Sequence, residues 1–228
     1  MFRRLELLIG DKIEKLKNSK VILFGVGGVG GYVAEILVRS GVGNLTIVDY
    51  DVVDISNKNR QIIALDSTIG KVKVDVMKDR LLDINPDVHI LAINKKLTID
   101  NIQDFNLDSF DYIIDAIDMV SSKLKLIEYA NNHNIQIISA MGAGNRFGIP
   151  EVKIGDIYDT TNDGLAKVLR RELRKRNITS HTVVYTTNKS TPCGDTIGSV
   201  AYFPAMVGTM LSAYVINKIV GENNGDRN

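Results

Sequence analysis

A doubly wound, Rossmann-like α/β fold, built on a mostly parallel sheet with a small C-terminal extension, is the architecture this 228-residue sequence predicts. Three observations carry that reading. Short runs of Val, Ile and Leu alternate with amphipathic stretches as far as Ser139, the pattern of buried parallel strands interleaved with covering helices. Gly25, Gly27 and Gly30 stand in G-x-G-x-x-G spacing between the first apolar run and the first amphipathic one. Asp49 closes the next apolar run about 20 residues on, where a nucleotide-binding fold of this class places an acid.

Taken in order, strands are expected at Lys20–Phe24, Leu45–Val48, Val88–Ile93, Tyr112–Asp115 and Ile135–Ser139. Helices are expected at Gly28–Ser40, Thr68–Ile84 and Ser121–His133, with a short one near Asp100–Phe105. In the second of these, Val72, Val76, Met77, Leu81 and Leu82 recur near the helical period with charged residues between them, and Asn85-Pro86 ends it. The C-terminal third changes texture. It reads as an edge strand at Glu151–Gly155, a basic helix at Asn162–Arg176, a strand at Thr182–Thr186, a polar loop, and an apolar helix at Phe203–Val220 whose Gly208, Ser212 and Ala213 suit close packing. The expected organisation is one ATP-binding adenylating domain over 1–221, with a nucleotide-binding core at 1–144, a substrate-side extension and C-terminal helix at 145–221, and a disordered polar tail at 222–228.

Composition excludes several classes. With 28 Lys+Arg against 27 Asp+Glu, global charge neither attracts nor repels a polyanion, so such a site must come from local clustering. The single cysteine, Cys193, rules out an internal disulfide framework and a CxxC zinc site. No stretch reaches the roughly 18 uninterrupted apolar residues of a membrane span, so a cytoplasmic protein without membrane association is expected.

The glycine loop gives a chemical hypothesis. Gly25 permits a tight turn off the strand, Gly27 lets backbone N–H groups approach a phosphate, and Gly30 lets the helix pack closely; Gly28 belongs to the same cradle. The helix N-terminus adds a positive dipole end, and Asp49 is placed to accept from ribose hydroxyls. These features alone leave NAD, FAD, SAM and ATP open. Three further segments narrow the choice. The polar run after Asp49 carries Asp51, Asn57, Asn59, Arg60 and Gln61 beyond the strand's carboxyl end, where Arg60 could clamp phosphate oxygens with its planar fork. Lys73 in TIGKVK sits in the first turns of a helix, where a cation opposes the dipole unless an anion is close. Asp115 and Asp118 follow the fourth strand, and a carboxylate beside a polyphosphate is a Mg²⁺ ligand candidate; Asp115 is read as structural and Asp118 as the metal residue.

The set GVGGVG, GVGNLTIVDYD, SNKNRQ, TIGKVK, INP and DAID, in that order, resembles the ThiF/MoeB/HesA superfamily of ATP-dependent adenylating enzymes, relatives of the ubiquitin-activating enzymes. The resemblance implies ATP and Mg²⁺ as cofactors and a homodimer in which an arginine from the other protomer, here Arg4 in FRRLELLIG, reaches the γ-phosphate side. It implies that Asp49 binds ribose, that Asn57, Arg60 and Lys73 contact the triphosphate, and that Asp118 serves the metal. The chemistry it implies is attack of a carboxylate on the α-phosphate, with pyrophosphate leaving. Within the superfamily, the stretches NKNRQIIAL and GSVAYFPAMVG look like the tRNA threonylcarbamoyladenosine dehydratase branch, which cyclises a modified adenosine next to the anticodon. The alternative is adenylation of a ubiquitin-like sulfur-carrier protein, a branch that commonly carries two CxxC pairs absent here.

A tRNA partner agrees with Arg170, Arg171, Arg174, Lys175 and Arg176, which with Lys167 crowd one predicted helix with only Glu172 among them. Like charges that dense weaken a helix unless a polyanion compensates; a solvated helix face is the plainer reading. Arg146 is expected toward the substrate. Cys193 could serve as a thioester nucleophile, but a lone loop cysteine needs an activating environment that sequence does not reveal.

Overall fold

The computed structural model describes residues 1–191, 194 and 196–221. Its centre is a seven-stranded sheet in the order β3-β2-β1-β4-β5-β7-β6. The strands are β1 (Lys20–Phe24), β2 (Asn44–Val48), β3 (His89–Ile93), β4 (Tyr112–Asp115), β5 (Gln136–Ala140), β6 (Val152–Asp156) and β7 (Thr182–Thr186). Every neighbouring pair is parallel except β6–β7. This is the expected doubly wound α/β class. Residues 21–24 of β1 and all of β4 are buried, which is why those strands read as unbroken apolar runs rather than alternating ones.

Helices cover both faces: α1 (Arg3–Ile9), α2 (Ile13–Asn18), α3 (Gly30–Arg39), α4 (Lys73–Ile84), α5 (Val120–His133), α6 (Gly164–Lys175) and α7 (Tyr202–Val220). One core layer joins α3, α4 and α7 to the sheet through Val33, Leu37, Met77, Leu81, Val207 and Leu211. Each fully buried side chain of this kind contributes roughly 1.5–3 kcal/mol. A second layer gathers Phe24, Phe105 and Ile113 on the other face, and a third packs α5 and α6 through Ile127, Leu169 and Leu173.

The helix expected from Thr68 begins five residues later. Asp66–Thr68 forms only a short 3-10 turn, Gly70 takes φ +82° and Val72 pairs with Val52 in an antiparallel bridge, so the α-helix begins at Lys73. This bridge binds the polar run after Asp49 to the foot of α4. The C-terminal helix α7 has the length and mean hydropathy, 1.3, of a membrane span. It nonetheless packs as a core helix: a Cβ on Gly208 would lie 2.7 Å from the carbonyl oxygen of Val29, the residue before α3, and the fully buried Ser212 donates to the Val33 carbonyl of α3 at 3.4 Å. The small residues of α7 therefore allow the close approach expected of them. Cys193 and the tail 222–228 lie outside the described residues.

Candidate functional site

Because the strand order reverses at β1 and β4, the loops after these two strands diverge and leave a crevice at their carboxyl ends. A cavity of about 570 Å³ fills that crevice, within the range of small-molecule and cofactor sites. Its floor is Phe24, Val48 and Ala140, the ends of β1, β2 and β5. The glycine loop forms one side. Gly25 takes φ +90°, and a Cβ there would sit 2.7 Å from the Ala116 carbonyl oxygen; a Cβ on Gly30 would fall 1.7 Å from that of Gly25. Both glycines are demanded by packing of the protein against itself. Gly27 differs, since a Cβ there would meet nothing nearer than Gln61 Nε2 at 3.8 Å. Its bareness faces the cavity.

Asp49 is held from two directions. Its Oδ2 accepts from the Val26 N–H at 2.7 Å and its Oδ1 from the Asp51 N–H at 2.8 Å. It thus ties the glycine loop to the chain after β2, while each oxygen keeps acceptor capacity toward the cavity it lines. Lys73, 5% exposed at the first position of α4, donates to Asp51 Oδ2 at 2.8 Å. An ion pair at a helix N-terminus, with its cation buried and its acid half exposed, sets an ammonium against the dipole without leaving it unpaired. Asn57 closes a short capping box with Asp54, its Oδ1 accepting from the Asp54 N–H at 3.1 Å. Its Nδ2 makes only a long 3.5 Å contact with Ser56 Oγ.

Arg60 donates to the Ser56 carbonyl at 2.7 Å and to Asn59 Oδ1 at 2.9 Å. Asn59 in turn donates to the Ser199 carbonyl at 3.0 Å, which fastens the polar run to the segment leading into α7. Gln61 is buried, and its Oε1 is the one buried side-chain polar atom among the described residues without a partner. A buried amide oxygen left open inside a cavity wall costs about 1–3 kcal/mol unless something fills the site. Asp118 is exposed on the turn after β4. Around Tyr50, partial burial raises the phenol pKa and the carboxylates of Asp51, Asp118 and Asp49 raise it further, so these three acids converge on one side of the cavity. Among the described residues no group of three metal-ligating side chains of the His, Cys, Asp and Glu kinds stands ready.

Gly25, Gly27, Gly28, Asp49, Asp51, Asn57, Arg60, Gln61, Lys73 and Asp118 all line this cavity; Gly30 lies just behind it in the first turn of α3. Asp115 does not line it and is fully buried, in agreement with the structural role expected of it. Arg4 is on α1, exposed and away from the cavity walls of its own chain. Sequence reasoning missed Tyr50, Lys95, Lys96, Leu97, Ile117, Met119 and Ser122, which also line it. Lys96 lies 5.0 Å from the Tyr50 ring centre.

Two expectations need correction. Arg146 does not face the substrate side: it is buried and donates to the carbonyls of Gly142, Asn162 and Asn188 and to Asp163, so its work is to fasten the crossover chain. Arg170 does not join the basic surface of α6, because it is half-buried and its guanidinium donates to the carbonyl and hydroxyl of Thr160. Arg171, Lys175 and Arg176 all gather on Glu172, whose carboxyl is lowered to about 2 by hydrogen bonds first from Lys175 and then from Arg176. Arg174 lies over the Tyr158 ring at 4.9 Å. One acid thus relieves the like-charge crowding that the sequence suggested.

Comparison with known proteins agrees with this geometry. The profile of the ThiF family matches residues 3–228. A tRNA threonylcarbamoyladenosine dehydratase of Bacillus subtilis is 46% identical over 178 residues, which are 78% of this chain and 70% of that one; four further dehydratases of that name are covered over 42–63% of their length. The crystal structure of the Escherichia coli tRNA N6-threonylcarbamoyladenosine dehydratase TcdA in complex with ATP superposes with a TM-score of 0.91 at 29% identity, covering 96% of this chain and 93% of that one. A molybdopterin-synthase adenylyltransferase of Haemophilus influenzae is 36% identical, but over only 57% of this chain and 53% of its own.

Proposed function

Since the chain belongs to the ThiF family, we propose that it is an ATP-dependent tRNA threonylcarbamoyladenosine dehydratase, which adenylates a carboxylate on the modified adenosine and lets the side chain close into a ring. The observation that carries this reading is the cavity itself, in which a bare Gly27, a buried Lys73 and Arg60 surround a space of nucleotide size, in a fold shared across its length with an ATP-bound dehydratase.

In this reading ATP lies with its ribose on Asp49 and its base toward Leu97, Ile117 and Met119, the apolar part of the wall. Its phosphates meet the backbone N–H groups at Gly27 and Gly28, the dipole of α3, the Nδ2 of Asn57, and the side chains of Arg60, Gln61 and Lys73. Asp51 keeps Lys73 aimed. Mg²⁺ needs only one or two protein carboxylates beside phosphates and water, so Asp118 with the nearby Asp51 fits it without a preformed cluster. Bound there, the ion supplies charge neutralisation at the phosphates. Attack of the substrate carboxylate on the α-phosphate releases pyrophosphate; attack of a nitrogen of the same side chain on the acyl-adenylate then releases AMP. Positioning and charge stabilisation account for both steps, with no side-chain nucleophile.

Arg4 completes the site from a second copy of the chain in a homodimer, which is consistent with its exposed place outside its own cavity. The exposed Lys167, Arg171, Arg174 and Lys175 of α6, with Arg176, offer phosphate contacts for tRNA; Arg170 is spent within the fold. The test is AMP release from ATP with tRNA carrying the modified nucleoside, with unmodified tRNA, and with a ubiquitin-like carrier. Release with the first alone supports the proposal, and release with the carrier alone replaces it by the sulfur-carrier alternative.

A further inference from the structure

The most deeply buried charges among the described residues lie behind the cavity, and neither the glycine loop nor the phosphate-facing residues account for them. Asp115 at the end of β4 and Lys123 on α5 are both 0% exposed and pair at 2.6 Å. Asp115 Oδ2 also accepts from the Ser139 hydroxyl at 2.6 Å, and its Oδ1 accepts from the Ile117 N–H at 3.1 Å. Lys123 donates a second bond to the Ala140 carbonyl at 3.0 Å. The Ser139 proton goes to Asp115, so Ser139 Oγ accepts from His181 Nε2–H at 2.8 Å, which fixes the neutral tautomer of that buried imidazole.

Stability does not explain such an arrangement, because a buried ion pair is often no better than apolar residues of the same shape. Its bonds point elsewhere. One end holds the Ile117 N–H, inside the turn 116–119 that brings Asp118 and Met119 to the cavity. The other holds the Ala140 carbonyl, where the chain enters the segment 140–144 that forms the adjoining wall. The turn has no slack on its far side either, since the Ala116 carbonyl oxygen lies against Gly25, where even a Cβ would fall 2.7 Å away.

We propose that the Asp115–Lys123 pair is a buried clamp that fixes the two cavity walls relative to each other, so that Lys123 is a positioning residue for the nucleotide and for Asp118. This rests on the reading of the cavity as an ATP site. Coupling passes through two bonds to backbone that lines the site, and disturbance of such a connected chain changes binding by about tenfold.

The variant that tests it is Asp115→Leu with Lys123→Met, which removes both charges together and leaves neither unpaired. Equilibrium titration of ATP, with and without Mg²⁺, is read alongside thermal unfolding. The expected result is cooperative unfolding with ATP affinity lowered about tenfold and a higher Mg²⁺ concentration for half-saturation. Leu16→Ala, a core deletion on α2 remote from the cavity, is expected to lower the unfolding temperature with ATP affinity intact, which separates positioning from general loosening. Should the double variant not fold, Ser139→Ala withdraws one bond from Asp115 with both charges in place, and a weakened ATP affinity is again expected. Wild-type affinity in the folded variant overturns the clamp alone; absence of ATP binding by the wild-type protein overturns the clamp together with the reading beneath it.

Discussion

Gly27→Ala separates the two demands made on the glycine loop. At Gly25 and Gly30 the protein's own backbone occupies the place of a Cβ, at 2.7 and 1.7 Å. At Gly27 the nearest atom to a Cβ is the Gln61 amide nitrogen at 3.8 Å, an ordinary contact, and the backbone there is not left-handed. Alanine therefore fits the fold, with a stability change within about 1 kcal/mol, and it reduces the freedom of the unfolded chain. A ligand is affected differently. A phosphate oxygen accepting from this backbone at about 2.9 Å leaves no room for a methyl group on the same side. Losing one or two charge-assisted hydrogen bonds, at about 1.5–3 kcal/mol each, weakens ATP by roughly tenfold to more than a hundredfold. Calorimetric ATP titration and thermal unfolding of the same preparation give both quantities. Wild-type ATP affinity in Gly27→Ala, or unfolding as severe as in Gly25→Ala, would refute the argument.

Lys73→Met should cut AMP release by more than a hundredfold while costing about 1 kcal/mol of stability or less, because the remaining Asp51 is half exposed and can hydrate; steady-state kinetics beside a melting curve checks it. Burial lowers the His181 pKa to about 4, below the unfolded value of about 6.5. The unfolded state alone binds this proton between those values, so stability falls as pH drops through that window, by roughly 3 kcal/mol. Denaturant titrations of wild type and His181→Gln across pH 4 to 7 should differ in slope, and parallel curves would contradict the assignment. Arg171→Ala with Lys175→Ala should reduce the salt dependence of tRNA binding by up to about two phosphate contacts, leaving ATP affinity unchanged. Arg4→Ala should be inactive alone yet regain activity when mixed with inactive Asp118→Asn, since a mixed dimer holds one intact site; failure of mixing to restore AMP release would return Arg4 to a role within its own chain or none.

The centre of the sheet was legible because β1 and β4 are buried almost throughout and therefore apolar; both fall at the expected residues. The N-terminal helices were not, since α1 has 7 residues and α2 has 6, each too short for an apolar period to repeat. The start of α4 was misplaced because the Val52–Val72 bridge, a contact between segments 20 residues apart, keeps Val72 out of the helix. At the site, Gly27, Asp49 and Lys73 could be read because each belongs to a short local pattern. Lys95, Leu97 and Ser122 could not, because only the strand order brings the ends of β3 and β4 beside the loop after β1. The same holds for Asp115, Lys123, Ser139 and His181, four residues whose network exists only after folding. Arg146 misled for the opposite reason: it follows a glycine-rich strand end, yet it is buried and held by the carbonyls of Gly142, Asn162 and Asn188 and by Asp163.

The central claim is settled most directly by mass analysis of nucleosides from modified tRNA incubated with the protein, ATP and Mg²⁺. The account predicts that the threonylcarbamoyladenosine loses one water in step with AMP release, and that Lys73→Met abolishes both. An unchanged nucleoside mass in the presence of a preparation that binds ATP would contradict it.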